Sequence, residues 1–116
     1  KYFGFPSTNL FTKQSNQINT GGILMLLLVT YTLQPQKRTS FLQDVQNSHI
    51  LEQIRNEDGC LRYEYYLHVE KDDQILLVEE WASKEQQQIH LQQSPMQLLK
   101  VYKDKYVVST DVRMLS

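Results

Sequence analysis

The sequence predicts an α+β domain with elements in the order β-α-β-β-α-β. Four strands form one antiparallel sheet and the helices pack on one of its faces. Three observations predict it. The run ILMLLLV, residues 23–29, is apolar throughout and leads into β-branched and aromatic residues, which suits a buried strand. The segments CLRYEYYLHV (60–69) and QILLVEEW (74–81) flank Lys71-Asp72-Asp73, the pattern of a hairpin. Two longer stretches, one before the hairpin and one after it, carry apolar residues at helical spacing together with helix-start signals.

Residues 1–22 are rich in Asn, Gln, Ser and Thr, show no period and close on Gly21-Gly22. They read as an N-terminal extension outside a domain at 23–116. The extension is either a leader ahead of Met25 or an arm that packs through Phe3, Phe5 and Phe11. Strand one is expected over 23–33. Its apolar run is too short for a membrane helix, and no small-residue cleavage site follows it. Pro35 reads as the opening of the first helix, where a missing N–H costs nothing. Phe41, Leu42, Val45, Leu51 and Ile54 form its stripe, and Asp58-Gly59 ends it. In strand two, Leu61, Tyr63, Tyr65, Leu67 and Val69 share one face, and Arg62, Glu64, Tyr66 and His68 take the other. Ser83-x-x-Gln86 is a capping box for a helix over 84–93, with Ile89 and Leu91 expected to face the core beside His90. Ser94-x-x-Gln97 repeats the signal for a piece over 95–105, with Leu98, Leu99, Tyr102 and Tyr106 as its stripe. VVSTDVRML, 107–115, is the fourth strand.

This order is the ferredoxin-like plan. With both helical pieces on one face, the other face keeps too many apolar and aromatic groups to stay wet. A second copy is expected to cover it, giving a two-fold homodimer with an interface above ~1,000 Å².

Composition narrows the function. A net charge of −1 with no basic block argues against a nucleic-acid surface. Cys60 is the single cysteine, which excludes a disulfide framework and a cysteine zinc site and suits a reducing cytoplasm. His49 and His68 have no ligand-spaced partners, so no metal is expected. No nucleophile triad, phosphate loop or dinucleotide fingerprint is present.

Two segments resemble a known family. RNEDGCLRYEYY carries Glu57-x-Gly59-Cys60-Leu61-x-Tyr63, and LLVEEWASKEQQQIHLQQSP carries Glu79-x-Trp81, His90 and Ser94-Pro95. Together they resemble the antibiotic biosynthesis monooxygenase family of dimeric α+β barrel proteins, over roughly residues 23–115. The resemblance implies that two such domains pair into one barrel. Known members include oxygenases of quinols and polycyclic aromatics that use no cofactor, haem-degrading enzymes and an isomerase. The family's usual histidine after Ser-Pro is Met96 here. The haem-degrading branch uses an Asn in the first strand and a His in the second helical piece. Residues 23–33 hold no Asn and 95–106 no His, so that activity is disfavoured.

The expectation is a cofactor-independent monooxygenase acting on a small aromatic, quinol or polyketide-like compound. His90 is the candidate general base, since an imidazole titrates near neutrality. Its bland alternative is a histidine hydrogen-bonded at a helix end. Trp81, Tyr63, Tyr65, Tyr66, Glu79 and Met96 are candidate substrate-binding residues. Each also has a structural role open to it: Trp81 as core filler, Glu79 as a charge paired across the sheet, the tyrosines as dimer packing. The rival functions are a non-catalytic ligand-binding or stress-associated protein and an isomerase of a small carbonyl compound.

Overall fold

A computed structural model describes residues 24–115. The expected extension at 1–22, and Ile23, lie outside the described residues. The elements are β1 (Met25–Leu33), α1 (Arg38–Ser48), α2 (Ile50–Arg55), β2 (Cys60–Leu67), β3 (Gln74–Trp81), α3 (Lys84–His90), α4 (Ser94–Tyr106) and β4 (Val107–Met114). The strands form one sheet in the order β2-β3-β1-β4, antiparallel at every step. This is the ferredoxin-like α+β fold.

Strict alternation builds the two-sided sheet. Met25, Leu27, Val29, Tyr31 and Leu33 of β1 are buried and the residues between them are half-buried. Register carries that face outward from the centre: Tyr31 lies opposite Ile75, Leu27 opposite Glu79, and Glu79 opposite Tyr63. Phe41 and Val45 of α1, Ile50 and Ile54 of α2, and Leu99 of α4 close over it, none more than 1% exposed. Tyr31 meets Phe41 edge to face at 5.9 Å, and Phe41 meets Tyr106 at 6.1 Å, the favoured geometry for aromatic pairs. The Tyr106 hydroxyl donates to Asp44 Oδ2 at 2.7 Å, tying α4 to α1.

Several expectations are corrected. Pro35 does not open the helix. It precedes Gln36, whose φ of 63° and the Lys37 N–H to Gln34 carbonyl bond of 3.0 Å close a tight turn, and α1 starts at Arg38. Pro at the second turn position and positive φ at the third are the type II signature. The single helix expected to run to Asp58 is broken at His49, whose φ is 60°. Ser94 is the first helical residue of α4 rather than its cap; Gln93 takes that place and makes no side-chain cap bond. Residues Ile89 and Leu91 point outward, 55% and 46% exposed, while Gln87 and His90 face inward.

The sheet face away from the helices carries Leu26, Leu28 and Leu76, half-buried, with Val78 and the exposed Tyr66. Arg62, Glu64 and Tyr66 are bonded to one another along β2. Exposed Val112 and Met114 sit on β4. Among the described residues, no helix is long and apolar enough to cross a membrane.

Candidate functional site

The loop between α2 and β2 is locked against the start of α3. Gly59 has φ +86°, and a Cβ there would lie 2.3 Å from the Gln86 side chain. Only glycine meets both demands. The Gly59 carbonyl accepts from the Ala82 N–H at 2.8 Å, and Gln86 Nε2 donates to Asp58 Oδ2 at 3.2 Å. Ser83 caps α3 as its spacing predicts: its Oγ accepts from the Gln86 N–H at 3.2 Å, and its hydroxyl donates to Gln86 Oε1 at 3.1 Å.

This lock brings Glu57 to His90. Glu57 Oε1 and His90 Nδ1 are 2.8 Å apart, with side-chain exposures of 14% and 1%. The imidazole lies over Trp81, ring centroids 4.5 Å apart and planes 32° apart, and meets the Tyr63 ring edge-on at 5.6 Å. The Trp81 indole N–H donates to Glu79 Oε1 at 2.9 Å, and Glu79 is 7% exposed. Half-buried Glu57 and buried His90, Trp81 and Glu79 thus form one continuous chain of polar and ring contacts.

Burial disfavours charge along it. It holds the His90 imidazole down at about 4 and pushes the Glu57 carboxyl up to about 7. Glu57 Oε2 is buried without a hydrogen-bond partner, a further cost to the carboxylate. At neutral pH the pair therefore carries a neutral imidazole. When Glu57 is ionised it accepts the Nδ1 proton, which leaves the Nε2 lone pair as the basic atom. Burial raises Glu79 also, opposed by the indole bond and by Lys103. Lys103 is lowered by its own burial, opposed chiefly by Glu79, and its Nζ sits 5.0 Å from the Tyr31 ring centre.

Of the residues singled out from sequence, His90, Trp81, Tyr63 and Glu79 meet in one cluster. Tyr65 lies beside Tyr31 and Phe41, with ring centres 6.1 Å from each. Tyr66 is on the opposite sheet face, where its hydroxyl bonds Glu64 and accepts from Arg62 Nη2. Met96 is half-buried against the edge of the core. Sequence reasoning did not single out Glu57, Tyr31 or Lys103. Glu57 stood in the quoted motif, but its partner is 33 residues away.

Among the described residues, a cleft of about 760 Å³ opens between α1–α2 and β2, lined by Leu42, Val45, Leu51, Arg55, Tyr65, Tyr66 and Leu67 among others. A smaller one of about 240 Å³ on the other face involves Thr30, Tyr66 and Leu76. His90 lines neither. No three His, Cys, Asp or Glu side chains among the described residues converge as a metal-ligand set.

Comparison with known proteins gives a consistent picture. The family described as antibiotic biosynthesis monooxygenase matches residues 25–99. A conserved protein of Methanosarcina mazei superposes with a TM-score of 0.73 at 16% identity, covering 84% of this chain and 96% of that one. A protein of Nitrosomonas europaea, provisionally named an antibiotic biosynthesis monooxygenase, gives 0.73 at 14% identity, covering 82% and 90%. One of Caulobacter crescentus with the same provisional name gives 0.71 at 18% identity, covering 81% and 89%. No curated protein matches the chain. At these identities the structural likeness is one of fold.

Proposed function

Because the chain belongs to the antibiotic biosynthesis monooxygenase family, we propose that its monooxygenase-like role is the cofactor-independent oxygenation of a small aromatic, quinol or polyketide-like compound. The observation that supports this best is the 2.8 Å contact of Glu57 Oε1 with His90 Nδ1 beside Trp81. Glu57 is the positioning residue and His90 the base. His90 Nε2 takes a phenolic proton, and the imidazolium so formed is stabilised by the Glu57 carboxylate. The electron-rich anion then reduces dioxygen. For a quinol, one oxygen atom enters the ring and the other leaves as water, and the substrate supplies the electrons, so quinol plus dioxygen gives hydroxyquinone plus water. Trp81 and Tyr63 are the ring walls of the base, and Glu79 fixes the indole.

The protein acts as a cytoplasmic homodimer in this reading. The sheet face bearing Leu26, Leu28, Leu76 and Val78 is the surface a second copy covers. Burying apolar area contributes about 25 cal/mol per Å², a large gain for a chain of 116 residues.

Oxygen uptake with a panel of quinols tests the reaction. His90→Ala, checked for retained secondary structure, should lower uptake by about 100-fold or more; equal rates in wild type and variant would remove His90 from the chemistry. One observation favours a second reading. At 1% exposure His90 opens onto neither cleft, which suits a non-catalytic ligand-binding protein on the same scaffold, with the Glu57–His90 pair serving to hold the loop. Saturable quinol binding with no oxygen uptake decides for it.

A further inference from the structure

We propose that Trp81, Tyr63, Tyr31 and Tyr65 form a one-electron path, along which an oxidised Trp81 indole is repaired by electrons entering at Tyr65. Two independent observations carry this. The first is unbroken contact from the core to the cleft. The His90 ring bridges Trp81 and Tyr63, their ring centres 4.5 Å and 5.6 Å from its own. The Tyr31 hydroxyl is in hydrogen-bonding contact with those of Tyr63 and Tyr65, and the Tyr31 and Tyr65 ring centres are 6.1 Å apart. Trp81, Tyr63 and Tyr31 are no more than 2% exposed, whereas Tyr65 is half-buried and lines the cleft. The second observation is a proton acceptor at the inner end. Glu79 Oε1 accepts from the Trp81 indole N–H at 2.9 Å, and Glu79 stands opposite Tyr63 in the β2–β3 register.

Indole and phenol are the readily oxidised aromatic side chains, and each sheds a proton once it has lost an electron. Water cannot take that proton from a sealed site, so the protein must hold a base there. Burial, above all, raises the Tyr63 and Tyr31 phenols and keeps them neutral. The Glu79 carboxylate is the base within reach, and its own burial raises its affinity for a proton.

Trp81 gives an electron to an oxidant of the peroxyl-radical class, which takes a proton from solvent and becomes a hydroperoxide. The indole proton passes to Glu79. Tyr63 then gives an electron to the indole radical. Glu79 returns its proton to the indole nitrogen and takes the phenolic proton of Tyr63. A hydrogen atom moves from Tyr31 to Tyr63, and another from Tyr65 to Tyr31. A solvent reductant of the ascorbate class restores the hydrogen atom to Tyr65, and Glu79 releases its proton to solvent. His90 neither gains nor loses a proton, so the path does not depend on the base chemistry proposed above.

Flash photolysis tests it. Trp81 is the single tryptophan, so light at the red edge of the indole band ionises it selectively. Nitrous oxide and tert-butanol remove the ejected electron and the hydroxyl radical formed from it. The tryptophanyl band should decay as a tyrosyl band grows, with a first-order rate independent of protein concentration. Tyr63→Phe should lose that growth, and Tyr66→Phe, on the other sheet face, should keep it. In Glu79→Gln the indole radical should retain the red-shifted band of its protonated form. Ascorbate should clear the tyrosyl radical faster in wild type than in Tyr65→Phe. Circular dichroism confirms that each variant is folded, and the wild-type kinetics decide the matter without them. No tyrosyl growth in wild type, a rate that rises with concentration, or unchanged growth in folded Tyr63→Phe would each overturn the proposal. So would a deprotonated radical in Glu79→Gln or equal clearance by ascorbate. Quinol and oxygen uptake play no part in this readout, so the path and the oxygenase reading stand or fall separately.

Discussion

Replacing Glu57 with Gln keeps the shape of the side chain and removes its charge. A carboxyl whose folded pKa lies above its unfolded value binds its proton more tightly in the native chain. Its contribution to stability is whole below the unfolded value and is lost as pH rises through the folded one. For Glu57 that window runs from 4.5 to about 7. Each pKa unit is worth about 1.4 kcal/mol, so a fully sealed carboxyl would forfeit roughly 3 kcal/mol. The Glu57 side chain is 14% exposed, and solvent screening lowers the expectation to on the order of 1–2 kcal/mol. His90 moves the other way. Its folded value is lowered from 6.5 to about 4, so its contribution is present above 6.5 and lost as pH falls through about 4. It is unchanged in the variant and cancels from the difference. Urea unfolding at one protein concentration, at pH 5 and at pH 8, reads that difference. Near pH 5 the two proteins should be about equally stable, and at pH 8 Glu57→Gln should be the more stable by that amount. If wild type instead gains on the variant as pH rises, the pair is an ion pair of Glu57 carboxylate and His90 imidazolium, and the neutral-pair reasoning fails.

Gly59→Ala meets both a positive φ and the Gln86 side chain 2.3 Å away, so it should cost about 1–3 kcal/mol in chemical denaturation; a neutral effect would mean the loop is not locked to α3. Trp81→Phe keeps a ring under His90 but removes the donor to Glu79 Oε1. It should cost on the order of 1–3 kcal/mol, more at pH 9 than at pH 5, because the orphaned carboxyl is raised further and its contribution fades as pH rises; melting curves across that range check it. For the base chemistry, quinol-dependent oxygen uptake should climb with pH around 7 as Glu57 ionises and lose that rise in Glu57→Gln; a profile indifferent to Glu57 separates the pair from catalysis. For the dimer, sedimentation equilibrium at low micromolar concentration should show a two-fold species, and Leu28→Asp on the uncovered sheet face should dissociate it. A stable wild-type monomer would remove the interface assignment.

The elements of the fold were legible because their signals are local. The apolar run ILMLLLV, the Ser83 cap and the turn at Lys71-Asp72-Asp73 each depend on neighbours a few residues away, and β3 spans Gln74–Trp81 as expected. Alternation along β2 placed Tyr63 and Tyr65 on one face and Tyr66 on the other. Local signals failed where a long-range contact outweighed them. Ile89 and Leu91 look like the core face of α3, but the ring stack with Trp81 and the bond to Glu57 draw His90 inward instead and leave those two outside. The break at His49 has no glycine or proline to announce it; packing Ile50 and Ile54 under the sheet requires the chain to turn there. The site itself is tertiary. Sequence proposed His90 by its chemistry, but the carboxylate it bonds lies 33 residues earlier, and the cleft forms only where α1 and α2 meet β2. Which residues form helix or strand follows from the side chains along a few turns of the chain. Which polar groups lose their water, and beside what, follows from the closing of the core, and that is what decides the chemistry available to them.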